Sequence, residues 1–315
     1  MKPALNKAKH YAPIALKVLI LGLSLSYILS RLMGDKAAAS IDPAWFLDPS
    51  GLLFLLLCLA LSCLNWFLEI EKWWLLINSL RPVSLIQAAK QSLAAFSAAI
   101  ITPNRLGEYA IKGLYFKPCE RKRVALLKLE ANYAQLLTTL LFGIPGVIFT
   151  VNSYPLVLSK TRLSIAAVLI VTAIGVLYLI RNKTLFVRGL SLKRLASFYS
   201  GLSSRIHLRV LLLSVGRYLV FSTLFFLLLD FYGCRISVPQ AIPLITTMYL
   251  LSAAIPGFAL FDFVIKGSVG VWLFSLAGLP YLPVIQATFS IWLLSFALPA
   301  LVGSYYVLRF KPCKE

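Results

Sequence analysis

The chain has 315 residues, 60% of them hydrophobic and 13% charged, with a mean hydropathy of +0.85. Soluble domains are nearer half apolar and a quarter charged, so this composition excludes an ordinary water-soluble fold and indicates a polytopic, all-α membrane protein. The net charge of +20 comes from 31 basic against 11 acidic residues. The basic residues cluster in short loops, as the positive-inside rule requires, and no aromatic-basic module accompanies them, so nucleic acid is not an expected partner.

The N-terminus, "MKPALNKAKHYAPIALKVLILGLSLSYILS", has a basic head and an apolar run without a small-residue cleavage site. It reads as a retained first span over 12–33 rather than a removed signal peptide. Asp35, Asp42 and Asp48 against Lys36 place the next loop outside. A second span over 51–77 ends with Glu69, Glu71 and Lys72 ahead of Trp73 and Trp74. That cluster reads as an interfacial anchor, with Glu69 also a candidate for lining a cavity.

Segment 84–116 follows, broken near its middle by proline and glycine and too short for two crossings of about 20 residues each. "KPCERKR" (117–123) is basic and inside. A third span over 124–150 opens with Lys128, Glu130, Asn132 and Gln135, and a fourth covers 162–180. Segment 181–209 carries seven arginines and lysines and no acid, and is inside. The fifth span, 209–230, holds Arg217 about two turns from its start. Lys128, Glu130 and Arg217 either line the same cavity or snorkel to the inner boundary. Segment 241–280 is the second broken piece, long enough for two short spans, and a sixth span covers 284–308 ahead of Arg309, Lys311 and Lys314.

These charges put both termini in the cytoplasm and require 84–116 to enter and leave on the cytoplasmic side, and 241–280 on the outer side. The expectation is six full spans and two re-entrant or short hairpins, in two oppositely oriented repeats, 1–155 and 156–315. The hairpins share a sentence. "SAAIITPNRLGEYAIKG" (97–113) is answered by "SAAIPGFALFDFVIKG" (252–267), with Glu108 matched by Asp262 and Lys112 by Lys266.

A helix restarting after Pro103 or after Pro256-Gly257 would offer free N–H groups and the positive end of its dipole to an anion. Arg105 could add a forked phosphate contact, with Gly107 easing close approach. Glu108 and Lys112 are spaced i, i+4, as are Asp262 and Lys266, so each pair can neutralise itself on one helix face. Charges at membrane depth are functional candidates. Either the lysines bind phosphate while the acids hold them, or the acids carry protons. For Glu108–Lys112 the plainer alternative is an interfacial salt bridge.

Little suggests an enzyme. Cys58, Cys63, Cys119, Cys234 and Cys313 form no CxxC or metal spacing, and the two histidines, His10 and His207, lie near basic loops. No histidine is expected to accompany an acid in the spans, and neither a nucleophile–base pair nor a cofactor motif stands out.

"EKWWLLINSL", "TPNRLGEYAIKG" and "IPGFALFDFVIKGSVGVWLFSLAGLP" together resemble the lysylphosphatidylglycerol synthase transmembrane (flippase-like) family. The most specific part is Pro103, Gly107 and Glu108 in a Pro-x-x-x-Gly-Glu pattern. The resemblance implies a membrane domain that moves lipid between leaflets in the plasma (inner) membrane, here expected to lack the soluble synthase domain of bifunctional members. The second hairpin departs from the family's usual proline, glycine-rich run and glutamate, since Pro256-Gly257 is followed by "FALF" and Asp262. The expected function is movement of a phosphate-containing amphiphile, phospholipid or polyprenyl-phosphate in type, with membrane lipid as partner and no cofactor. The alternative is a non-transporting accessory protein docked on an envelope-biosynthesis enzyme, for instance through 181–209.

Overall fold

The structure is a computed structural model that describes residues 26, 48–100, 102, 105–154, 197–255 and 261–310. The regular elements within these residues are helical: α1 (Pro49–Asn78), α2 (Leu85–Ile100), α3 (Leu106–Leu114), α4 (Arg121–Ser153), α5 (Ser204–Phe231), α6 (Val238–Ala254), α7 (Asp262–Leu276), α8 (Tyr281–Trp292) and α9 (Leu298–Leu308). A π-helical turn, Leu293–Ala297, joins α8 to α9.

Among the described residues, four helices are long and apolar enough to cross a membrane: α1, α4, α5 and the continuous run Tyr281–Leu308, of 30, 33, 28 and 28 residues. At about 1.5 Å per residue each exceeds the ~30 Å hydrocarbon core. They match the expected spans 51–77, 124–150, 209–230 and 284–308. The expected spans 12–33 and 162–180 lie outside the described residues.

Lipid selects the sidedness of these helices. On α1, Leu52, Leu53, Leu56, Leu64 and Phe67 are exposed, whereas Ser62, Asn65, Glu69 and Lys72 are buried. The buried set recurs at i, i+3, i+7 and i+10, one helical stripe, so the polar face turns to the protein interior where partners exist.

Both broken segments form helix–break–helix hairpins. Helices α2, α3, α6 and α7 have 16, 9, 17 and 15 residues, all shorter than the ~20 a full crossing needs. In the first break the Thr102 hydroxyl accepts from the Gly107 N–H at 2.8 Å and donates to the Ala99 carbonyl at 3.1 Å. Arg105 is held at φ 57°, the left-handed region that non-glycine residues rarely adopt. A Cβ on Gly107 would sit 2.5 Å from the Ala98 carbonyl oxygen, so α3 folds back on α2 backbone to backbone. Pro103, Pro256 and Gly257 lie outside the described residues.

Helices α1 and α5 run antiparallel. Phe54 near the start of α1 stacks on Phe231 at the end of α5, ring centroids 4.6 Å apart, while Trp73 and Ile77 near the end of α1 share a core with Val210 near the start of α5. Helix α2 packs on α9 and α6 packs on α4. The α2–α9 approach is close at Gly303, where a Cβ would overlap the Leu93 carbonyl and the Ser97 hydroxyl. One apolar core joins α5–α8, a second joins the ends of α1 and α5 to α2 and α4, and Trp66, Phe96 and Phe296 form a seam of edge-on rings.

The π turn has a local cause. Pro299 has no N–H to offer the Ser295 carbonyl four residues earlier. That carbonyl instead accepts from Trp66 Nε1 at 3.0 Å, and the Leu294 carbonyl accepts from Ser62 Oγ at 2.8 Å. Side chains of α1 thus satisfy the backbone groups that the irregular turn releases, as an apolar surrounding demands.

Candidate functional site

Four helices bring charge into the interior. Glu69 of α1, 7% exposed, accepts from Lys72 Nζ at 2.8 Å, Arg217 of α5 at 2.7 Å and Lys128 of α4 at 3.4 Å. Lys128 also meets Glu108 of α3 at 2.7 Å. Arg217 Nε donates to Asn65 Oδ1 at 2.9 Å, and Lys72 reaches Gln135 at 3.4 Å. Lys112, 1% exposed, rests its ammonium 3.9 Å from the centroid of the Trp73 ring. The Trp73 indole is in turn fixed by Gln91 Oε1 at 2.8 Å. A cation over an aromatic face is stabilised by the ring quadrupole, but its charge is not cancelled.

This corrects two expectations. Glu108 and Lys112 do not neutralise each other: Glu108 is taken by Lys128, and Lys112 has no carboxylate within ion-pair distance among the described residues. Four residues put the two side chains on one face, but the lysine of α4 supplies a better-placed partner once both are buried. Nor is the Glu69–Lys72 region merely an interfacial anchor, since both residues are buried and Glu69 is the hub of three cations.

Above this cluster lies a cavity of about 630 Å³, lined by both hairpins and by α1, α4, α5 and α8. Arg105 comes from the first hairpin, Asp262 and Lys266 from the second, and Tyr218, Phe221, Tyr249, Phe263 and Trp292 supply aromatic walls. A smaller cavity of about 80 Å³ reaches Glu69, Lys72, Glu108 and Lys128. The two share Phe96, Arg105, Gln135 and Arg217, so they form one polar cleft ending at the ionic cluster.

Asp262 and Lys266 pair at 2.6 Å, as their spacing predicts, and Lys266 lies over the Phe221 and Tyr249 rings at 5.2 and 5.9 Å. Each hairpin's second helix carries its own acid in its first turn, Glu108 in α3 and Asp262 in α7. The positive helix ends expected to await an anion are therefore already faced by the protein's own carboxylates, and the Gly107 N–H is used by Thr102.

Six buried side-chain polar atoms lack a hydrogen-bond partner among the described residues, and five of them line the cleft: Ser92 Oγ, Tyr218 Oη, Ser252 Oγ, Trp292 Nε1 and Ser295 Oγ. Buried polar groups are normally satisfied, so their concentration here marks a place built to receive water or a polar ligand.

Of the residues expected at a site, Arg105, Glu108, Asp262, Lys266, Glu69 and Arg217 line the cleft. Lys112 and Gly107 line neither cavity: Lys112 packs on Trp73, and Gly107 packs against Ala98 and Thr102. Glu130 stands apart, its carboxylate 2.7 Å from His207 Nδ1. His207 Nε2 lies 2.9 Å from the Tyr199 carbonyl, and Tyr199 Oη donates to the Leu126 carbonyl at 3.1 Å. Burial, with the nearby Glu130 carboxylate, pushes the Tyr199 phenol above its ordinary range. A histidine does therefore accompany an acid, contrary to expectation, but as a fastening of α4 to the start of α5 outside the cleft.

Sequence reasoning missed Asn65, Ser92, Tyr218, Tyr249, Ser252 and Trp292. For Asn65 a signal existed: Ser62, Asn65, Glu69 and Lys72 form one polar stripe through a run of leucines. Among the described residues, no three His, Cys, Asp or Glu side chains gather as a metal site. No family model matches the chain, and no curated protein matches it.

Proposed function

We propose that the protein is a lipid transporter of the flippase type, moving a phosphate-containing amphiphile between leaflets. Its membrane unit is of the lysylphosphatidylglycerol synthase kind, with six spans and two re-entrant hairpins in an inverted repeat. The observation that carries this is the cleft itself. Arg105 at the break of the first hairpin and Asp262 and Lys266 of the second line one cavity, which shares four residues with a smaller one reaching the buried ionic cluster.

The described helices support the repeat. Each half supplies a long helix, a broken hairpin and another long helix. The matching helices α1 and α5 run antiparallel, as inverted copies would. Each hairpin's first helix packs on the last long helix of the other half, α2 on α9 and α6 on α4.

The headgroup enters beside Arg105 and Arg217, where guanidinium forks match phosphate oxygens, while the tails stay in lipid. Rocking of the halves then switches the leaflet to which the cleft opens. The test is protein-dependent movement of fluorescent phospholipids across proteoliposome leaflets, comparing wild type with Glu108→Gln and Lys266→Ala. Transport by the wild type with at least tenfold loss in either variant supports the reading. No transport above protein-free vesicles refutes it, and unchanged rates in both variants remove these residues from the mechanism.

A further inference from the structure

The next step rests on the transport reading and narrows its substrate. We infer that the headgroup carries at least two net negative charges, as a phosphomonoester or diphosphate does, and is neither zwitterionic nor aminoacylated. Five cations line the cleft: Lys72, Arg105, Lys128, Arg217 and Lys266. They face three carboxylates, Glu69, Glu108 and Asp262, an excess of two positive charges. Uncompensated buried charge is strongly unfavourable, so the cleft is built for an anion to complete it.

A cationic headgroup group would find no carboxylate on the cleft without a cation already on it. Glu69 is held by three cations, Glu108 by Lys128 and Asp262 by Lys266. Three of the cleft's aromatic faces are already beside cations, Phe96 under Arg105 at 5.8 Å and Phe221 and Tyr249 under Lys266. The Trp292 indole N–H, unpartnered on the cleft wall, can only donate, so what meets it must be an acceptor. Ser92, Tyr218 and Ser252, at 2, 5 and 7% exposure, add unpartnered hydroxyls to the same wall.

The test measures binding of water-soluble dihexanoyl lipids to the full chain in detergent micelles by titration calorimetry. Dihexanoyl phosphatidic acid should bind at least tenfold more tightly than dihexanoyl phosphatidylcholine or dihexanoyl lysylphosphatidylglycerol, and more tightly than inorganic phosphate. Arg105→Asn, which suits the left-handed backbone, should lower phosphatidic acid affinity at least tenfold and shrink its preference over phosphatidylcholine; Arg105→Lys should restore most of both. Equal or tighter binding of the zwitterionic or cationic lipid overturns the inference, as does absence of phosphatidic acid binding. Inorganic phosphate binding as tightly as phosphatidic acid overturns the lipid source. Anion-selective binding without transport in proteoliposomes sinks the transport reading alone, whereas transport of phosphatidylcholine as fast as phosphatidic acid sinks only the charge assignment.

Discussion

Glu69→Gln is the most informative single change. It keeps the shape of the side chain and removes the negative charge on which Lys72, Arg217 and Lys128 converge at 2.8, 2.7 and 3.4 Å. At an effective dielectric constant near 20, a pair of unit charges about 4 Å apart attracts by about 4 kcal/mol, so three such contacts are large in gross terms. Desolvation offsets most of that. The measured consequence of deleting one member of a buried network is about 3–5 kcal/mol, because the remaining charges stay buried and unpaired. Unfolding the protein in mixed micelles of rising sodium dodecyl sulfate content, followed by tryptophan fluorescence, should register a loss in that range. Asp262→Asn is the internal comparison. Its side chain is 32% exposed, and removing its pair with Lys266 should cost below about 1 kcal/mol. A Glu69→Gln loss no larger than that of Asp262→Asn would mean that water already solvates the cluster, and the inference of an anion-completed site would lose its footing.

Three further outcomes are expected. Trp66→Phe keeps the edge-on contact with Phe96 but strands the Ser295 carbonyl that Pro299 cannot serve, costing about 1–3 kcal/mol in the same titration; wild-type stability would show that another donor takes over. Gly303→Val should destabilise by about 1–3 kcal/mol, because the branched side chain would push α9 off Leu93 and Ser97 of α2, and a neutral result would refute that close approach. With Cys119 as the sole cysteine, exposed within the basic stretch 117–123, a membrane-impermeant maleimide should label only after the cells are permeabilised. Labelling of intact cells would invert the topology.

Much of the fold was legible because lipid makes hydrophobic length a direct readout. The four described spans fall where apolar runs of bilayer length occur, and both hairpins break where proline interrupts the run. Asp262–Lys266 was legible too, since its partners are four residues apart and no nearer charge competes. Glu108 escaped the same rule because its strongest neighbour, Lys128, arrives from another helix. Spacing within one element cannot announce such a partner. His207 and Glu130 are 77 residues apart in the chain and meet only through tertiary packing. The cleft's donors, Tyr218, Ser252 and Trp292, look like ordinary interior side chains in the sequence. What distinguishes them is the missing partner, which only three dimensions reveal.

The two halves are unequal in a way that bears on mechanism. The first surrounds its hairpin with lysines and glutamates, whereas the second surrounds Lys266 with aromatic faces. Among the described residues, two ion pairs tie α5 to the first half, Arg217–Glu69 and His207–Glu130, and of these residues only Arg217 and Glu69 border the cleft. An anion entering beside Arg105 competes with Glu69 for the Arg217 guanidinium, whose side chain is 25% exposed. On the transport reading, that competition couples occupancy to motion. On that reading, the headgroup that neutralises the cleft would also loosen an ionic link between the parts proposed to rock. A ligand can shift such an equilibrium only by its differential affinity for the two arrangements. On the transport reading, Arg217, bonded to Glu69 in the arrangement described, is the residue on which that difference would rest.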